Sequence, residues 1–170
     1  MNRTRAMLLI APLVLTILMG AAPWKTLPPC VLGRFEGITS TDPQGTIVGG
    51  TDPNDWGCLG GQPLASGGVP TGPPAQLCFG PAYPNPSSGA VVVRFAVPRT
   101  SMASINVYGQ KHGPHSAFVV RTLAEQTFAA GEYSFQWDGN DDQGARLPPG
   151  LYRAVMVTPD GTICGDIEIR

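Results

Sequence analysis

Charge is scarce in this chain. Asp, Glu, Lys and Arg make up 14% of its 170 residues, against roughly a quarter in ordinary soluble domains, and no basic cluster is present to neutralise phosphates. Nucleic acid is therefore not an expected partner. The four cysteines contain no C-x-x-C pair, which argues against thiolate zinc and dithiol redox chemistry. Missing too are a G-x-S-x-G elbow, an H-E-x-x-H helix and a phosphate-cradling glycine loop, arrangements that set a nucleophile, a zinc pair or backbone N–H groups where chemistry needs them. The chain reads as a non-enzyme with no cofactor. From Ala82 onward no window of helical length keeps a 3.6-residue apolar period, so an all-β body is expected.

What is present begins with a leader. Arg3 and Arg5 precede an apolar run from Ala6 to Met19, followed by Gly20, Ala21 and Ala22, the order of a secretory signal peptide over residues 1–22. Ala6 to Ala22 also approaches the length that spans a bilayer, so a retained anchor stays open, with membrane contact through the leader alone. Lipidation at Cys30 is disfavoured because Leu27, Pro28 and Pro29 are not the small residues such a site shows. The leader takes two of the 11 basic residues and none of the 12 acidic ones, leaving a net charge of −3. Cys30, Cys58, Cys78 and Cys164 fit two disulfides in an oxidising compartment, and an extracellular or cell-surface location is expected. Of the three connectivities, the favoured one pairs Cys58 with Cys78, closing a short loop and restricting the unfolded chain by about 3 kcal/mol. Cys30 then clips to Cys164.

Residues 23–80 form a Pro/Gly-rich, Cys-containing extension. Its run from Gly60 to Pro74 has no strand or helix period and cannot bury a continuous face; Val31–Phe35 and Thr46–Val48 are candidates for an edge strand each. Residues 81–170 differ. Val91, Val93, Phe95 and Val97 alternate with less apolar neighbours, as do Ala103, Ile105 and Val107, then Tyr133, Phe135 and Trp137. Phe118–Leu123, Leu151–Val157 and Ile163–Ile169 complete the set, and in the last of these Asp166 and Glu168 fall on the face opposite the isoleucines. A Thr158-Pro-Asp-Gly161 turn separates the final two. Six or seven such strands describe an Ig-like antiparallel β-sandwich. Val93, Phe95, Ile105, Val107, Tyr133, Phe135 and Trp137 are its expected core.

Motifs in this half resemble a known pattern. Tyr83-Pro84-Asn85-Pro86, Ile105–Tyr108, Val120–Leu123, then Trp137-Asp138-Gly139 with Gly144, and Gly150-Leu-Tyr152 follow one another in order. They resemble two related C-terminal modules, the Ig-like domain of the flagellar hook-capping protein and the type IX secretion (Por system) sorting domain. The resemblance covers residues 82–170 and implies a role in sorting, surface anchoring or assembly. Gly109 after Tyr108, a longer loop at Gly113–Ser116, and Asp166 in place of a final-strand lysine depart from it.

Other candidates weigh less. Asp138–Gly144 places carboxylates at alternate positions but lacks the sixth-position Gly and twelfth-position acid of a calcium loop, so turn support through backbone N–H groups is the simpler reading. His112 and His115 flank Gly113 and Pro114, which oppose the helical turn needed to ligate one metal. Trp137 and Tyr133 read as core rather than as a sugar-stacking face. Trp56 suits either an anchor or a presented aromatic. The expected partner is secretion machinery or a cell-surface protein engaged through an edge strand such as Ile163–Ile169. Rival readings are an adhesion protein recognising through the extension, and a non-catalytic remnant of a secreted hydrolase.

Overall fold

A computed structural model describes residues 28–59, 74–110 and 117–170. The leader, most of the Gly60–Pro74 run and the His112/His115 loop lie outside the described residues. Eight strands appear among those described: β1 Gly57–Cys58, β2 Cys78–Tyr83, β3 Val91–Val97, β4 Ser101–Gln110, β5 Ala117–Phe128, β6 Gly131–Trp137, β7 Gly150–Thr158 and β8 Gly161–Ile169. They form two antiparallel four-stranded sheets, ordered β1-β2-β3-β6 and β5-β4-β7-β8. This is the all-β sandwich that the alternating pattern predicts.

The alternation explains the interior. Val91, Val93, Phe95, Val97 and Trp137 from one sheet meet Ala103, Ile105, Val107, Ala154, Met156 and Ile167 from the other, all buried. Tyr133 and Phe135 face the same core but are only half covered, because β6 is an edge strand. Both stack on Phe95, at 5.3 and 5.9 Å between centroids, and Phe128 meets Phe95 edge-on at 5.1 Å. That geometry adds to what burial alone contributes.

Two strands differ from expectation in extent. The strand expected over Phe118–Leu123 runs on to Phe128, since two register shifts against β4 break its two-residue period and hide it from pattern reading. β2 straddles the boundary between the stretch read as extension and the sandwich. It carries Pro81, which has no N–H to donate, and Pro81 sits where the β2–β3 register slips between Gly80 and Tyr83.

The N-terminal segment supplies a third layer. Val31 and Phe35 pack on Tyr108, Ala117, Val155 and Cys164, the outer face of the second sheet. This explains why β7 and β8 each show a run of five consecutive buried residues where period-two alternation would expose every other one. Val31–Phe35 does this without forming a strand, entering instead through a 3-10 turn at Pro29–Val31. Thr46–Val48 contributes one isolated bridge, Ile47 to Thr41, in place of the edge strand expected there. Cys30 joins Cys164 and Cys58 joins Cys78. The second pair sits directly opposite across β1 and β2, with Cα atoms 4.0 Å apart.

Candidate functional site

The densest polar site lies where this third layer meets β7 and β8. Arg153 and Asp166 are direct partners in the β7–β8 register. The Arg153 guanidinium donates from Nε to Asp166 Oδ1 at 2.5 Å and from Nη2 to Oδ2 at 2.7 Å, the bidentate fork that suits a buried carboxylate. Its remaining donors reach the N-terminal segment, Nη1 to the Cys30 carbonyl and Nη2 to the Arg34 carbonyl at 3.1 Å. The guanidinium carbon also stands 4.5 Å from the Phe35 ring centroid. Asp166 is fully buried, although alternation had put it on an open face. It is on that face, and the extension covers it. Burial pushes its carboxyl up, while the Arg153 fork and a backbone hydrogen bond at Glu36 pull it back; Arg153 is itself raised by Asp166 against the effect of burial. The charge is therefore paired rather than orphaned.

Asp55 stands at the rim of a cleft of about 300 Å³ lined by Cys30, Arg34, Glu36, Asp52 and Arg153. Its Oδ2 accepts the Asp166 N–H at 2.9 Å. Burial, then the Asp166 charge, pushes its carboxyl up from 3.8 to about 7, against the backbone bond and Arg153. Beside it, Trp56 adopts φ +56°, in the left-handed region that a bulky residue enters only when surroundings compel it. The indole lies flat on Gly165 of β8: a Cβ there would come within 2.1 Å of the ring. It tilts against Phe79 at 5.1 Å. Trp56 is thus an anchor of the extension, one of the two roles its sequence context left open.

Asn85, from the Tyr-Pro-Asn-Pro motif, is the second anchor. It is completely buried and donates from Nδ2 to the carbonyls of Thr39 at 3.1 Å and Asp166 at 2.9 Å, while Oδ1 accepts the Glu168 N–H at 2.9 Å. Thr41 and Asn85 also exchange backbone hydrogen bonds. Pro84 and Pro86 each follow a cis peptide bond. Tyr83 lies under the Arg94 guanidinium, 4.9 Å from its centroid.

Taken along β8, these contacts fill its outer edge. Trp56 N–H donates to the Cys164 carbonyl, Asp166 N–H to Asp55, Asn85 to the Asp166 carbonyl, and Glu168 N–H to Asn85. Ser87 N–H donates to the Glu168 carbonyl at 2.9 Å and Arg170 N–H to the Ser87 carbonyl at 2.8 Å. The edge that the sequence nominates for a partner is occupied by the chain's own groups.

The remaining motif residues assemble elsewhere, in the β6–β7 connection. Trp137 is buried, donates from Nε1 to the Asn140 carbonyl at 2.9 Å, and meets Tyr152 edge-on at 5.4 Å. Asp138 Oδ1 accepts the Asn140 N–H; Asp141 Oδ1 accepts from Gln143 and Ala145; Asp142 Oδ1 accepts the Thr122 N–H of β5. Asp138 and Asp141 support the turn, and Asp142 ties it to β5. Gly139 has φ +77° and lies under the Arg146 guanidinium, so the motif requires glycine there. Gly144 turns at φ +82°, Gly150 opens β7, and Tyr152 donates to the Pro148 carbonyl at 2.6 Å. Among the described residues, no group of three or more His, Cys, Asp or Glu side chains is gathered to hold a metal.

Arg153, Asp55 and Asp166 were not singled out from the sequence as a site. A signal existed. Counting back from the Thr158–Gly161 turn sets Arg153 opposite Asp166, and a lone charged pair inside two apolar strands marks a covered face.

Residues 115–161 match the family model described as the FlgD Ig-like domain. That part of the chain is similar to the hook-capping Ig-like module. The match runs through β5, β6 and β7 to the first residue of β8 and includes the Trp137-Asp138-Gly139 turn. It adds nothing to the sorting-domain half of the resemblance. No curated protein and no solved structure matches the chain.

Proposed function

We propose that this is an exported, non-catalytic protein whose Ig-like sandwich acts as an anchoring or assembly module at or beyond the cell envelope. The observation that carries this reading is the use made of the buried charges. Among the described residues, the buried side chains of the charged types are Arg153 and Asp166, and their hydrogen-bonding capacity goes into pairing with each other and fastening the extension rather than into a reacting centre. Cys30–Cys164 braces the same junction and Cys58–Cys78 staples β1 to β2 in the other sheet, which suits an oxidising compartment. The likeness to the FlgD Ig-like domain favours a structural, hook-associated type of role over a catalytic one. Secretion sorting is a second reading, supported by the ordered series of motifs from Tyr83 to Tyr152; the burial of Asn85 and the occupied β8 edge weigh toward assembly.

Cell fractionation with thiol alkylation and intact-mass measurement tests the proposal. A shortened, fully oxidised chain in the envelope or an extracellular particle is the expected result. An intact, reduced precursor dissolved in the cytoplasm overturns it. Sorting is separated from assembly by inserting a reporter between the leader and residues 23–170: passage outside the cell supports sorting, and retention supports assembly.

A further inference from the structure

Natural sandwiches protect their outer strands with short length, bulges, charges or a cover, and three of the four outer strands here follow that rule. β1 has two residues and is stapled by Cys58–Cys78. β8 is covered along its edge, as described above. β5 carries two register shifts, and its middle is occupied by Asp142, which exchanges bonds with Thr122 and Val120, and by the Asp141 carbonyl, which accepts from Arg121. β6 is the exception. Its seven residues pair with β3 without a break, from Gly131 opposite Val97 to Trp137 opposite Val91. It contains no Lys and no Pro, and its solvent-facing side chains are Glu132, Ser134 and Gln136. Among the described residues, no group beyond β3 hydrogen-bonds to the Glu132–Gln136 backbone.

We infer that β6 pairs antiparallel with β6 of a second copy, about a two-fold axis at Ser134. This deepens the assembly reading by naming the partner. The order of side chains argues for this occupant, because it is self-complementary. Centring on Ser134 sets Glu132 opposite Gln136 of the other copy, a carboxylate against an amide donor, with no like charges opposed. It also sets Tyr133 opposite Phe135, extending across the seam the aromatic stack that begins at Phe95 and leaves both rings half covered. A seven-residue seam is smaller than a standard stable interface, so the pairing is concentration-dependent and becomes firm where copies are held close.

The test uses the oxidised full chain in sedimentation equilibrium over a roughly hundredfold concentration range, with amide hydrogen exchange at each end. A monomer–dimer equilibrium is expected, with β6 amides slowing as dimer forms. Two substitutions at one exposed position give the register its own signature. Gln136→Lys faces Glu132 with a cation and tightens the dimer; Gln136→Glu faces it with a like charge and loosens it, each on the order of fivefold for the two symmetric contacts. Unchanged melting temperatures confirm that both variants fold. A monomer at every concentration, a dimer whose β6 amides stay fast, or equal responses to the two substitutions overturns the proposal. Protected β6 amides in the dilute monomer overturn it as well, since the edge is then covered within one chain. None of these outcomes depends on export.

Discussion

Asn85→Ala offers the sharpest test of the clasp. Truncation removes three side-chain hydrogen bonds at a site with no solvent exposure: those to the Thr39 carbonyl, the Asp166 carbonyl and the Glu168 N–H. Each bond contributes about 1 kcal/mol net, and a buried partner left unpaired costs roughly 1–3 kcal/mol. Partial relaxation toward water brings the sum to about 4 kcal/mol, a large share of the 5–15 kcal/mol typical of a domain. Guanidinium unfolding of the oxidised chain measures the loss as a shift in midpoint, and exchange of the Glu168 amide should quicken selectively. Ser87→Ala is the control. Its hydroxyl bonds only within its own turn, to Gly89 and Ala90, and its loss should cost about 1 kcal/mol. If Asn85→Ala costs under about 1 kcal/mol and the Glu168 amide is unmoved, Asn85 is not what fastens the extension to β8.

Gly165→Ala should displace the Trp56 ring, which a Cβ would approach to 2.1 Å, and lower stability by about 3 kcal/mol in a thermal melt. Asp55 is raised to about 7 in the folded chain from an ordinary 3.8, so the folded state holds its proton longer than the unfolded one. Stability from this group is complete below about pH 4 and declines as pH rises to about 7; Asp55→Asn should flatten that slope in denaturation curves taken across the interval. Removing Cys58–Cys78, separated by 20 residues, should cost about 3 kcal/mol, and removing Cys30–Cys164, separated by 134, about 5 kcal/mol. Double Ser variants compared in urea check the order, and the reverse order would show that native contacts rather than loop closure dominate.

The two-layer body was legible because its core strands keep a strict two-residue period: Val91–Val97, Ala103–Val107 and Tyr133–Trp137 each announce one buried face. The third layer was not. Val31 and Phe35 are two apolar residues in a turn-rich segment, and nothing local to them names the face they cover. Asp166 was therefore assigned to solvent by correct alternation and incorrect assumption about what lies beyond. Asn85 stands out in the sequence as part of a motif, yet its role depends on Thr39 and Glu168, far away in sequence and brought together only by the fold. The occupied edge of β8 could not be foreseen for the same reason. By contrast, Asp138 and Asp141 of the β6–β7 turn act on neighbours within four residues, which turn chemistry anticipates, while Asp142 reaches Thr122 of β5, a contact that only the fold creates.

The bond between Cys30 and Cys164 has a mechanical consequence. It joins the first described turn to the final strand and encloses 134 residues of sequence separation. Tension applied between the leading segment and Arg170 passes through the sulfur bridge and the few residues after Cys164, leaving nearly the whole sandwich outside the load path. Stretched end to end, the protein bears force through a short covalent link, and of its strands only the Gly165–Ile169 end of β8, paired with Gly150–Ala154 of β7, lies in the load path.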